Sequence, residues 1–290
     1  MTDFTYEEMT TRNIGFVSRA EQERLRGACV LVPGVGGMGG AAFMALVRAG
    51  IGSFVIADID AFETSNLNRQ AFATLETIGQ EKARAARDAA LRINPGVNVE
   101  VLGGSWTDEL DRLLPMADVV VNGMDDAAAG VHLYRRCRTS RVTVIDAYAS
   151  PLASVTKVRP GDPTPEERLS YPTIGVDRHH ITETMRNECL MREIEYVLTH
   201  SSSHRYVDLD IAGDIADGRR SRFSFSTMVT IAGCLMAEEA IRVILDRDGG
   251  PDHRGWFVNP HSGRIEKPLP TLLAAARGLM VRRFMKKLVA

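Results

Sequence analysis

Short apolar runs alternate with longer amphipathic stretches through the first half of the chain. Ala28 to Val32 (ACVLV) reads as a buried strand, and Phe54 to Ala57, Val97 to Leu102, Asp118 to Asn122 and Val142 to Asp146 repeat that character. Between them, Gly40 to Arg48, Glu81 to Ile93, Asp108 to Leu114 and Ala127 to Cys137 read as helices. Strands alternating with crossover helices predict a parallel sheet with helices packed on it. The expected fold class is therefore α/β: a Rossmann-like, doubly wound, mainly parallel sheet, followed by a crossover segment and C-terminal helices.

The pattern changes after Ser150. Pro151, Pro160, Pro163, Pro165 and Pro172 interrupt the chain, and Arg159 to Asp177 is predicted to be loop. A helix is expected from Thr182 to Thr199, then a polar stretch from His200 to Arg222, then a strongly apolar helix from Ser226 to Leu245. Trp256 to Val258 is a candidate strand, and the chain closes with a helix from Thr271 to Val289. That last helix sets Arg277, Arg282, Arg283, Lys286 and Lys287 against Leu273, Met280, Phe284 and Leu288, a basic amphipathic pattern whose commoner use is packing on the domain or on a second subunit.

Composition narrows the class. Over 290 residues, 44% are hydrophobic and 25% charged, which excludes a disordered chain, a collagen-like repeat and a coiled coil. A formal net charge of -2 gives no bulk reason to coat nucleic acid or a membrane. No apolar run reaches spanning length, and Met1 to Glu8 lacks the order of a signal peptide, so the expectation is a cytoplasmic protein. The cysteines, Cys29, Cys137, Cys189 and Cys234, form no CxxC pair, so no structural zinc is expected and each thiol reads by default as a small buried residue, Cys29 and Cys234 as core. His179, His180, Cys189, His200 and His204 match no established metal-ligand spacing.

The chemistry is concentrated early. Gly34-Val35-Gly36-Gly37-Met38-Gly39-Gly40 follows the first strand and opens a helix, and Asp58 and Asp60 lie just past the second strand. Glycines let the backbone turn tightly and approach a phosphate, the helix N-terminus favours an anion, and an acid ending strand two can hold ribose hydroxyls. Ser65-Asn66-Leu67-Asn68-Arg69-Gln70 and Ile78-Gly79-Gln80-Glu81-Lys82 follow. Hydride transfer has no use for an arginine and a lysine so close to the phosphates. Attack of a carboxylate on an α-phosphate does, because it builds negative charge.

With GVGGMG, the DID pair, SNLNRQ, the run IGQEK onward to RINP, and Met124-Asp125-Asp126, the sequence resembles the E1-like adenylyltransferases, the ThiF, MoeB and HesA group. The motifs run from about Arg12 to Ser150, and the apolar helix TMVTIAGCLMAEEAIRVIL extends the likeness. The resemblance implies an adenylation domain over 1–267, its crossover at about 151–222, and a separate C-terminal helix over 268–290. It implies ATP and Mg²⁺ as cofactors and a homodimer. It implies that Gly34, Gly36 and Gly37 lie against the nucleotide, that Asp58 and Asp60 serve the ribose, that Asn66, Arg69 and Gln70 surround the phosphates, that Lys82 neutralises them, and that Asp125, with Asp126 beside it, holds Mg²⁺. Arg12 would reach into a partner subunit's site. Cys189 lies about where some relatives place a thiol that takes over the acyl group, although its helical spacing also fits a half-buried packing position. Against these roles stands a plainer one, in which Asp125 and Asp126 cap the helix from Ala127, and Arg69 and Lys82 are surface charges.

Two departures shape the expectation. Without CxxC pairs, a zinc-free branch is implied, and Asn122 stands where the family's fourth strand usually ends in an acid. The leading expectation is adenylation of a carboxylate with release of pyrophosphate, the carboxylate being the C-terminal glycine of a ubiquitin-like or sulfur-carrier protein, or that of a peptide. A dehydratase acting on threonylcarbamoyladenosine in tRNA is the alternative. An NAD-dependent oxidoreductase and a catalytically silent binding module are further classes; the first leaves SNLNRQ unexplained, and retention of Arg69, Lys82 and Asp125 counts against the second.

Overall fold

The computed structural model describes residues 4–208, 211 and 224–288. One sheet of eight strands organises them, in the spatial order β3-β2-β1-β4-β5-β6-β7-β8. β1 (Cys29–Pro33), β2 (Ser53–Ala57), β3 (Asn98–Leu102), β4 (Val119–Val121) and β5 (Val144–Asp146) are parallel, as the alternation predicted. β6 (Ala153–Val158), β7 (Trp256–Asn259) and β8 (Arg264–Glu266) extend the sheet antiparallel. The helices are α1 (Tyr6–Met9), α2 (Arg19–Gly27), α3 (Met38–Ala49), α4 (Lys82–Ile93), α5 (Leu110–Leu113), α6 (Ala127–Ser140), α7 (Pro165–Arg168), α8 (Glu183–His200), α9 (Ser226–Ile244) and α10 (Thr271–Leu288).

Apolar cores cover both faces of the sheet. On one face, Phe43 of α3 meets Phe54 of β2 edge to face at 4.8 Å, beside Val30, Val32, Ile56 and Met236. On the other, Leu31, Val55 and Val120 pack against Trp106, Leu110, Leu133 and Tyr134. Adjacent residues of one strand therefore feed opposite cores, which explains why these strands read as unbroken apolar runs.

Three sequence expectations are corrected. β6 was not anticipated: Ser154, Thr156 and Lys157 break its apolar pattern, yet all six of its residues are buried. Lys157 is tolerated there because its Nζ pairs with Glu239 of α9 at 2.7 Å and donates to the Gly249 carbonyl at 2.6 Å, so a buried cation is matched by a buried anion. Second, the proline-rich loop contains α7, with Pro165 in its first turn and a reciprocal Thr164–Glu167 capping box. Third, Cys234 is exposed. α9 packs on α3 through a stripe including Ala232, Gly233, Met236, Ala237 and Ala240, and Cys234 falls off that stripe. The expected end of the last helix at Val289, and much of the polar stretch from His200 to Arg222, lie outside the described residues. Among the described residues no helix is long and apolar enough to cross a membrane.

The strand order reverses between β1 and β4, and the two chain segments leaving them nearly touch. A Cβ on Gly39 would lie 1.9 Å from the Gly34 carbonyl oxygen and 2.9 Å from the Cα of Gly123. Gly39→Ala is expected to lose about 3 kcal/mol in urea unfolding. Gly130→Ala, in α6 with nothing within 4 Å of its added Cβ, is expected to hold or gain up to about 1 kcal/mol. Equal effects at the two positions would dismiss this close approach as an energetic constraint.

Candidate active site

In doubly wound folds a ligand crevice forms at the carboxyl ends of the strands where the order reverses. That place is built here from the glycine turn after β1, the residues after β2, the segment leading into α4 and the segment after β4. Gly34 adopts φ +81°, a conformation glycine reaches without a Cβ penalty. Its N–H donates to the Ala57 carbonyl at 2.7 Å, while the Gly123 N–H donates to the Pro33 carbonyl at 2.8 Å. Both turns are thereby pinned to their neighbouring strands. α3 starts at Gly37 without a side-chain cap, so the orphan N–H groups of its first turn are free of any capping side chain. Gly36 lies against the side chain of Gln70.

A single broad cleft contains all the predicted residues except Arg12. Asp58 is held by its own surroundings: Oδ2 accepts the Val35 N–H at 2.9 Å and Oδ1 the Asp60 N–H at 3.0 Å. Burial pushes its pKa up, and those hydrogen bonds and the Lys82 ammonium oppose the shift. Lys82 is buried and pairs with Asp60 at 2.8 Å, while its own N–H donates to the Asp60 carbonyl at 2.9 Å. Asp60 is thus a clamp on Lys82. Arg69 donates through Nη1 to the Ser65 carbonyl and to Asn68 Oδ1, both at 2.9 Å, and no carboxylate among the described residues pairs with it. Gln70 is buried, with Oε1 lacking any partner among the described residues.

The plainer role holds for Asp126, and Asn66 also has a structural duty. Asn66 is buried and its Oδ1 accepts the Glu63 N–H at 3.1 Å, so it braces its own turn. Asp126 caps α6, accepting the Ala129 N–H at 2.7 Å, and its other oxygen pairs with Arg186. Asp125 remains exposed at the rim of the cleft. Arg12 lies elsewhere. Its neighbour Asn13 donates to the Ala49 carbonyl at 3.2 Å, which puts that segment at the far end of α3, roughly 18 Å of helix from the glycine turn.

Cys189, a candidate acyl acceptor from sequence, is 1% exposed and packed with Ala128, Val131, Tyr171 and Ile181. Burial pushes its thiol up to about 11, so at neutral pH it is protonated and poorly nucleophilic. Its packing is more complete than the half-buried position the helical spacing suggested. The histidines do not converge either. His200 lies tilted against the Tyr196 ring at 4.3 Å and accepts the Leu269 N–H at 3.0 Å, while His204 sits beside Arg277. Among the described residues no group of three or more His, Cys, Asp or Glu is placed to hold a metal.

Sequence reasoning missed the wall on the β5 side. Asn122 donates to Asp146 Oδ2 at 2.8 Å, Tyr134 donates its hydroxyl to the same oxygen at 2.6 Å, and the Ala147 N–H reaches Oδ1 at 2.7 Å. Asp146 stands at the end of β5, where burial pushes its pKa up to about 6. Arg168, Tyr148, Trp106 and Phe284 also line the cleft. No motif marks them, since they come from four separate segments.

A glycine-turned crevice at the switch point of a doubly wound sheet, with a buried lysine and an arginine on its floor, defines a nucleotide-binding α/β protein of the phosphate-handling kind. More narrowly, the chain matches the ThiF family over residues 10–272, and it belongs to that family. It is 33% identical over 154 residues to the molybdopterin-synthase adenylyltransferase of Escherichia coli K12, an alignment covering 51% of this chain and 62% of that protein. The chain thus spans under two thirds of that relative's length. With the tRNA threonylcarbamoyladenosine dehydratase of Bacillus subtilis it shares 24% identity over 250 residues, covering 81% of this chain and 94% of that one. In three dimensions it resembles PaaA, with a TM-score of 0.62 at 19% identity over 92% of this chain and 85% of PaaA, a likeness of fold.

Two outcomes follow from the buried groups. Iodoacetamide at neutral pH is expected to modify Cys234 well ahead of Cys189 and Cys137 by mass spectrometry, and rapid alkylation of Cys189 would restore it as a candidate nucleophile. Asp146 keeps its proton in the fold to about pH 6, whereas an unfolded Asp loses it near ~3.9. The native state therefore binds more protons in that window, and this residue's contribution to stability falls as pH rises from about 4 to 6. Asp146→Asn should flatten that slope in thermal unfolding.

Proposed function

We propose that this chain uses ATP and Mg²⁺ to adenylate a carboxylate, releasing pyrophosphate, as an E1-like activating enzyme. One observation carries the reading: the uncapped glycine turn, Arg69, the clamped Lys82 and the exposed Asp125 line one cleft at the switch point of the sheet. The turn supplies backbone N–H groups to phosphates, and Asp58 is placed for the ribose. Asp125 is the carboxylate at the rim with no capping duty, which fits a magnesium ion held by one or two carboxylates and phosphate oxygens. When bound, that ion offsets phosphate charge.

In the reaction a carboxylate oxygen attacks the α-phosphorus, the acyl–phosphate bond forms, and the α–β anhydride breaks with its electron pair leaving on pyrophosphate. Charge grows on the α-phosphate oxygens, and fixed cations there stabilise the transition state more than the ground state. Lys82 suits this role because Asp60 already holds it in place. The carboxylate we favour is the C-terminal glycine of a small ubiquitin-like or sulfur-carrier protein, or a peptide. Dehydration of threonylcarbamoyladenosine in tRNA, which also begins by activating a carboxylate, is the second reading; the long alignment with the Bacillus subtilis dehydratase favours it. Arg12, far from its own cleft, would act in the partner subunit's site of a homodimer.

ATP with Mg²⁺ is expected to raise the melting temperature while NAD does not; equal stabilisation by NAD would defeat the reading. Lys82→Ala and Asp125→Ala should each slow carboxylate-dependent pyrophosphate exchange into ATP by about a hundredfold, with folding retained by circular dichroism. Cys189→Ser should leave exchange near wild type. Undiminished exchange in Lys82→Ala or Asp125→Ala would withdraw the site assignment.

A further inference from the structure

At the end of α7 the structure places a cation with no direct ion pair among the described residues; the carboxylate of Asp146 acts on it only through space. Arg168 Nη2 donates to the Tyr148 hydroxyl at 2.8 Å, and its guanidinium lies 4.5 Å over the Tyr196 ring and 5.7 Å from that of Tyr148. Nε and Nη1 are shielded from solvent and have no hydrogen-bond partner. Among the described residues no carboxylate lies within ion-pair distance of Arg168. The two acids preceding it in the same helix are committed elsewhere, Glu166 to Arg135 and Glu167 to Arg138, each at 2.6 Å. The Tyr148 hydroxyl is itself engaged with the Arg254 carbonyl at 3.0 Å.

A guanidinium carries five donors and cannot shed its proton. Leaving such a charge shielded and unpaired costs the fold several kcal/mol, and rings stacked on it recover only part of that. Stability forgone at one point beside a cleft is the usual mark of a group kept for a ligand. Arg168 lines the same cleft as the glycine turn, on the β5 side. That is two strand spacings, roughly 10 Å, from β1. Nucleotide phosphates gather at the turn, so the β5 side is left to the acceptor.

We infer that Arg168, walled by Tyr148 and Tyr196, is a carboxylate-binding subsite that recognises an anionic group of the substrate whose carboxylate accepts the adenylyl group. The inference rests on the adenylation reading for what occupies the rest of the cleft. A carboxylate replaces the neutral phenol oxygen as partner, forms a charge-assisted pair with the guanidinium, and lets the acceptor's neighbouring atoms pack on the tyrosine rings. Two sources share this chemistry: a chain-terminal carboxylate and an aspartate or glutamate side chain.

The test is thermal unfolding of the full chain with N-acetyl-glycylglycine, with N-acetyl-glutamic acid α-amide, and with N-acetyl-glycylglycine amide as the uncharged control. One or both carboxylates should raise the melting temperature by about 2 °C or more at saturation, which one doing so naming the source, and the control should not. Arg168→Met should abolish that rise, keep the response to ATP and Mg²⁺, and melt at or above the wild-type temperature because an unpaired charge has gone. Arg168→Lys, which keeps a cation without the planar fork, should retain a weakened response and serves if Arg168→Met fails to fold. No carboxylate response in the wild type, or an undiminished one in either variant, overturns the inference and leaves Arg168 as a brace between aromatic rings. Absence of any ATP response in the wild type would sink the adenylation reading instead.

Discussion

Everything at the candidate site depends on the approach of two backbone turns across the sheet. Gly34, Gly39 and Gly123 pack without side chains between them, so closely that a Cβ on Gly123 would fall 2.2 Å from the Gly34 oxygen. Behind them, Gly233 of α9 brings that helix against Met38 and Ala41 at the start of α3. The first turn of α3 is thus fixed from both sides, and the N–H groups that face the cleft do not have to be ordered when an anion arrives. This is the economy of a preorganised site: conformational entropy is lost on folding rather than on binding. Glycines that look like a ligand motif are therefore partly a packing device. Gly34, Gly39 and Gly123 serve the approach, while Gly36 faces Gln70 and Gly37 faces Val229 of α9.

Charge is distributed around this turn with a consistent logic. Lys82 and Lys157 are both buried, and each has a fixed carboxylate, Asp60 and Glu239 respectively. Lys157 is enclosed with its partner and serves the sheet. Lys82 pairs with an exposed acid at the rim of the cleft, so its charge is held in position there. Asp58 accepts two backbone N–H groups and is a structural part of the turn. Arg168 breaks the logic, and that break is what singles it out.

The Asn122–Asp146 pair ties the ends of two strands together at the wall of the cleft. Parallel neighbours β4 and β5 end side by side, which brings these two side chains together. Had both positions been acids, two carboxylates would face each other at 2.8 Å, and one would have to stay protonated. The amide resolves this by donating to the acid.

The parallel half of the fold was legible because its strands are covered on both faces and hence uniformly apolar, and because caps and glycines bound the helices between them. The glycine turn, the acids after β2 and the Arg69 and Lys82 segments were legible for a different reason: each is local, a few residues whose chemistry needs only their own spacing. What local sequence could not carry is what two distant segments make together. α2 was missed because RAEQERLRG buries only Gln22 and Leu25 and shows almost no apolar stripe, and β6 because Lys157 reads as surface until Glu239, 82 residues later, neutralises it. Burial of Cys189, exposure of Cys234, the Asn122–Asp146 pair and the unpaired charge of Arg168 are likewise decided by which elements pack together. The sequence determined the parallel sheet and the motifs that meet at its switch point, whose signals are periodic or contiguous; the tertiary structure alone decided which polar groups are paired, because pairing depends on distance in space and the chain reports only distance along itself.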